Sequence, residues 1–175
     1  MRLFIAIDFE ELKDYFIKLQ DQLPKEDVKL TLTKTFHLTL KFLGEVPEDN
    51  IEEINEKLKK IKFEKVEINL DDIGVFPNEN YISVVWVGLN PKEKIVESQK
   101  KIDSALEDLF GRDKRFHPHV TLARVRFVKD KANFINSLKK IKIEKDKKIE
   151  FKNFKLIKST LTTKGPVYGD LKVFG

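Results

Sequence analysis

Two histidines of this chain sit in nearly identical surroundings. Phe36-His37-Leu38-Thr39-Leu40 returns as Pro118-His119-Val120-Thr121-Leu122, 82 residues further on (37 to 119). The chain has three histidines in all, and two fall in the repeat. On an extended strand successive side chains alternate faces. His37 and Thr39 therefore share one face, and His119 and Thr121 share theirs. Leu38, Leu40, Val120 and Leu122 point the other way, toward a core. Each copy presents an imidazole beside a hydroxyl, a set suited to displacement at a phosphodiester. Such a reaction needs a base on the attacking oxygen and an acid on the leaving oxygen, on opposite sides of phosphorus. Histidine titrates near neutrality and serves as either. Threonine hydroxyls can donate to the non-bridging oxygens.

Other residues near the motifs are weaker candidates. His117 shares strand parity with His119, but it lacks a threonine partner and Pro118 separates the two. The three histidines could in principle hold a metal. Zinc and hard cations usually also take a carboxylate or thiolate, and neither motif has an acidic neighbour. No metal and no cofactor is expected. Arg124 lies five residues after His119 and in a regular strand faces away from it; a bulge could turn it inward, toward phosphate. Phe42, Phe76 and Tyr168 could stack on a base, but the parity of its motif puts Phe42 in the core.

The elements that must carry these residues alternate between strands and helices. Arg2–Asp8 reads as a buried strand, and Glu10–Leu23 as an amphipathic helix ended by Pro24. Strands are expected at Val28–Leu32 and Phe36–Leu43, then a helix at Asp49–Ile61 and a strand at Glu64–Ile73. Phe76–Asn80 reads as a turn, followed by a strand at Tyr81–Val87 and one long helix over Pro91–Phe110. The second motif lies on a strand at Arg115–Phe127, with a helix at Lys131–Ile141 behind it. Ile149–Thr162 and Val167–Phe174 close the chain as strands. The repeat offset is close to half the chain. It implies an α+β fold of two pseudo-symmetric lobes, each an antiparallel sheet with helices on its outer face. Residues 1–175 are expected to form one two-lobed domain with a cleft between the sheets.

Composition sets the remaining bounds. Hydrophobic residues make up 41% of the 175, enough for a core, and 14 of the aromatics are Phe. There is no cysteine, so disulfides and thiol nucleophiles are excluded. Charged residues reach 36%, and their Lys/Glu bias suggests a heat-adapted source. The net charge of +5 permits a polyanionic partner without requiring one. The opening Met1–Asp8 does not read as a signal peptide, and no apolar run approaches a membrane span. A cytoplasmic monomer with no membrane association is expected.

At these motifs the chain resembles the 2H phosphoesterase superfamily, and within it the RNA 2′,3′-cyclic phosphodiesterases, also called the LigT or 2′-5′ RNA ligase family. The resemblance runs through Arg2–Ile7, Phe36–Glu45, Gly74–Pro77, Phe116–Val125 and the tail from Ser159 to Tyr168. It implies hydrolysis of a 2′,3′-cyclic phosphate RNA end to a 2′-phosphate. His37 would be the proton donor, His119 the base, and Thr39 and Thr121 would hold the phosphate. Substrates would be cyclic-phosphate-ended RNA, tRNA fragments or cyclic nucleotides. Two other functions fit the same residues: joining of tRNA halves by the reverse step, and RNA binding without catalysis.

Overall fold

The computed structural model describes residues 1–175, which build nine strands and five α-helices. In chain order they are β1 (Arg2–Asp8), α1 (Lys13–Asp21), β2 (Val28–Leu32), β3 (His37–Glu45), α2 (Ile51–Lys59), β4 (Val66–Asn78) and β5 (Tyr81–Asn90). Then follow α3 (Lys92–Ala105), α4 (Glu107–Phe110), β6 (His119–Val128), α5 (Lys131–Lys139), β7 (Ile149–Phe151), β8 (Phe154–Thr162) and β9 (Gly165–Phe174). Single 3₁₀ turns lead into α1 and α2.

The strands form two sheets whose observed pairings are all antiparallel. One is ordered β3-β1-β8-β9, the other β2-β6-β5-β4-β7. The α+β, two-lobed expectation therefore holds, but the lobes are not the two sequence halves. The His37 sheet borrows β8 and β9 from the second half, and the His119 sheet takes β2, β4 and most of β5 from the first. The reason lies in β1. Leu3 to Ile7 are all buried, so β1 needs neighbours on both edges, and β8 supplies the second. The helices cross over as well: α1 packs on β6, α3 on β3 and α5 on β4. A single cluster of 36 buried apolar residues draws on both sheets, from Ile5 and Leu38 to Val120 and Leu122.

Three expected elements differ. The closing strand expected over Ile149–Thr162 divides into β7, which pairs with β4, and β8, which crosses to the other sheet and pairs with β1. The Phe76–Asn80 turn shrinks to Glu79-Asn80, because Phe76, Pro77 and Asn78 pair with Val84, Ile82 and Tyr81 and extend β4. The long helix divides at Leu106, where the buried side chain is kept in the core by a local break in helical geometry. No helix is long and apolar enough to cross a membrane.

Candidate active site

The motif strands β3 and β6 lie against each other where the lobes meet. Both follow the alternation expected of them for four residues. Leu38, Leu40, Val120 and Leu122 are at most 1% exposed, while His37, Thr39, His119 and Thr121 are half-buried on the opposite faces.

After the fourth residue each strand breaks its alternation at the same place. In β3 the pairing with β1 skips Leu40, so Leu40 and Lys41 are both buried. In β6 the pairing with β5 skips Leu122, so Leu122 and Ala123 are both buried. A bulge of this kind inserts one residue and reverses the facing of the residues after it. Phe42 is thereby turned onto the His37 face, where it is 72% exposed. This corrects the core position that regular parity assigns it. Arg124 is turned onto the face of His119 and Thr121, and is exposed.

Lys41 goes into the core in exchange. Its ammonium donates to Asp103 Oδ1 at 2.5 Å, Asp113 Oδ1 at 3.0 Å and the Gly111 carbonyl at 3.0 Å. Burial alone would lower its pKa, but the two carboxylates raise it overall. The group ties the bulge to α3 and to the loop after α4.

The two histidines have different neighbours. Across β1–β3 the partner of His37 is Asp8. The His37 ring meets Phe4 edge-on at 5.7 Å and Tyr168 at 5.2 Å. Lys155 bridges Asp8 Oδ2 at 2.9 Å and Asp170 Oδ2 at 2.6 Å. Burial lowers the His37 pKa, and the carboxylates of Asp8 and Asp170 counter part of that.

Across β5–β6 the partner of His119 is Gly88. Its ring stands edge-on to Phe76 at 4.8 Å and near Trp86 at 6.1 Å. Trp86 can lie flat because its strand partner is Gly74, where a Cβ would overlap the indole. Nδ1 of His119 lies 2.7 Å from the His117 carbonyl. Since a carbonyl only accepts, Nδ1 carries the proton and the lone pair of a neutral ring sits on Nε2. Burial again lowers the pKa, opposed by that hydrogen bond and reinforced by the nearby His117 imidazole. His117 thus contributes through its main chain, while its own ring rests on Trp86 at 4.7 Å.

Sequence reasoning identified the His and Thr pairs but missed Asp8, Lys155, Asp170 and Trp86. The lone tryptophan was the one visible signal among them. The other three come together only through the register of four strands.

The profile of the family described as LigT like Phosphoesterase matches the chain twice, over residues 7–86 and 87–168, one match to each copy of the motif. An RNA 2′,3′-cyclic phosphodiesterase of Methanocaldococcus jannaschii is 39% identical over 174 residues, covering 98% of this chain and 99% of that one. A solved Thermus thermophilus structure superposes with a TM-score of 0.76 at 27% identity, covering 99% and 97% of the two chains. Escherichia coli LigT complexed with 3′-AMP does so with a TM-score of 0.72 at 25% identity, covering 98% and 95%. With both halves matched and a relative aligned along nearly all of either chain, this protein belongs to the LigT-like phosphoesterase family.

Proposed function

We propose that this protein is a cytoplasmic, monomeric RNA 2′,3′-cyclic phosphodiesterase. It hydrolyses the cyclic phosphate of an RNA end to a 2′-phosphate with His37 and His119 and without a metal or cofactor. The lobes act as one domain. The observation that carries the reading is the His117 carbonyl on His119 Nδ1, which leaves Nε2 as the proton acceptor. His119 takes a proton from water as its oxygen attacks phosphorus. The bond from phosphorus to the 3′ oxygen breaks, and His37, with a carboxylate as its strand partner, donates the proton that oxygen needs. Thr39 and Thr121 donate to the non-bridging oxygens. Arg124, on the His119 face, adds a fixed positive charge for the phosphate. Phe42 offers an exposed ring to a base. The name of the M. jannaschii relative and the 3′-AMP complex of LigT support a nucleotide substrate of this class.

The test is an oligonucleotide ending in a 2′,3′-cyclic phosphate, followed by ³¹P NMR with and without EDTA and a 5′-hydroxyl RNA. A 2′-phosphate product that is insensitive to chelation is expected. A 3′-phosphate product, activity lost to EDTA and restored by zinc, or dominant joining to the 5′-hydroxyl RNA at micromolar concentrations would each overturn the assignment.

A further inference from the structure

The charged cluster beside His37 is built with more care than a surface ion pair requires. Asp8 is locked at both oxygens: Oδ1 accepts the Glu10 amide at 2.7 Å, and Oδ2 accepts Lys155. It cannot swing toward His37 without losing one of these bonds, so it acts on the imidazole through its field. Residues directly opposite in an antiparallel ladder have Cβ atoms about 5 Å apart. The Asp8 and Lys155 side chains are each 21% exposed, so their charges are less screened than on an open surface. Asp170, on β9, extends the cluster from the far side.

The charged and titratable groups facing His37 are therefore Asp8 on β1, Glu10 just after it, Lys155 on β8, and Asp170 and Tyr168 on β9. Glu10 is turned to Lys13 at 3.1 Å. That leaves two carboxylates against one ammonium in the cluster. Nothing comparable stands in the other lobe. There the strand partner is Gly88, and the ring neighbours are Phe76, Trp86 and His117.

We propose that Asp8, Lys155 and Asp170 are positioning residues for the reaction: their surplus negative charge keeps the proton on His37 until the leaving oxygen takes it. This rests on His37 being the proton donor, as proposed above. Lys155 has two functions in it. It holds both carboxylates in place, and it offsets one of them, so that the cluster opposes the effect of burial on the imidazolium without trapping the proton.

Two substitutions of opposite sign test it. Asp170→Asn removes a negative charge from an edge strand, and Lys155→Met removes the positive one. Proton NMR titration reads each histidine directly, independent of catalysis. Asp170→Asn should lower the His37 midpoint by about half a pH unit, and Lys155→Met should raise it by about as much. His119 should stay in place, and Asp170→Glu should restore the parent value. The alkaline limb of kcat/KM should follow His37. A His37 midpoint that is unmoved in both variants, or displaced the same way in both, overturns the proposal. A midpoint that moves as expected while the alkaline limb stays fixed upholds the cluster's hold on His37, and it is the donor role of that histidine that fails.

Discussion

Position for position, the two lobes share a frame and differ in chemistry. Each has His, Thr, two apolar anchors and a bulge in the same order. Around that frame Asp8 stands where the other lobe has Gly88, Ala6 where it has Trp86, Lys41 where it has Ala123, and Phe42 where it has Arg124. The first lobe adds a Lys155-held pair of carboxylates, Asp8 and Asp170, to the aromatic rings of Phe4 and Tyr168 around its histidine. The second surrounds its histidine with aromatic rings and fixes the tautomer with a main-chain carbonyl. A repeated frame can supply two histidines, but the opposite roles proposed for them rest on the differences around that frame.

The comparison breaks most completely if the histidines are not a pair. His37→Ala and His119→Ala should each lower kcat/KM by about 10³-fold, within the usual range for acid–base catalysis. The double variant should be little worse than either, because groups acting as a unit are not additive. Additive losses in a four-variant kinetic cycle would show two independent sites.

A second break targets the frame. Lys41→Ala gives the first lobe the alanine found in the second, but strands Asp103 without its ammonium. Losing one partner of a buried pair costs about 3 kcal/mol, so chemical denaturation should show a fall of that order. Ala123→Gly, by contrast, should cost only about 1 kcal/mol. Equal losses would mean that the Lys41 cluster does not anchor its bulge.

Exchange at the residue after each bulge sharpens the contrast further. Arg124→Gln should lower kcat/KM about tenfold for every cyclic-phosphate substrate. Phe42→Ala should mainly raise KM, by several-fold, and more for purine than for pyrimidine ends, because its exposed ring is proposed to stack on the base. Steady-state kinetics on the four cyclic nucleotides would separate the two. The same response to both substitutions would erase the proposed division between phosphate and base.

The smallest effect is on pH. Burial lowers both imidazoles, so both limbs of a bell-shaped kcat/KM profile should lie on the acid side of the ordinary histidine value. In the proposed roles His119 loses competence when protonated as pH falls, and His37 when deprotonated as pH rises. An optimum well above pH 7 would contradict that sign.

Much of this was legible in the amino-acid sequence, up to a definable point. The His and Thr pairs were readable because two rare residues recur with matching apolar flanks. Strand parity read correctly through Leu40 and Leu122. It then misplaced Phe42, because a bulge is a decision of the ladder and leaves alternating residue types undisturbed. Arg124 was readable only as a conditional, and the bulge resolves it. Asp8, Lys155 and Asp170 left no local pattern, since their association depends on β8 pairing with β1 across most of the chain. The same long-range pairing hid the exchange of strands between the halves.

That exchange has a consequence for how the enzyme comes into being on the ribosome. Lys155 meets Asp8 across a separation of 147 residues, and Tyr168 and Asp170 arrive later still. Contacts so distant in sequence close late. A nascent chain can expose both histidine motifs and still lack the wall behind the first. The sheet behind His37 is therefore incomplete until β9 has been made, and so is the charged cluster proposed to hold that histidine's proton.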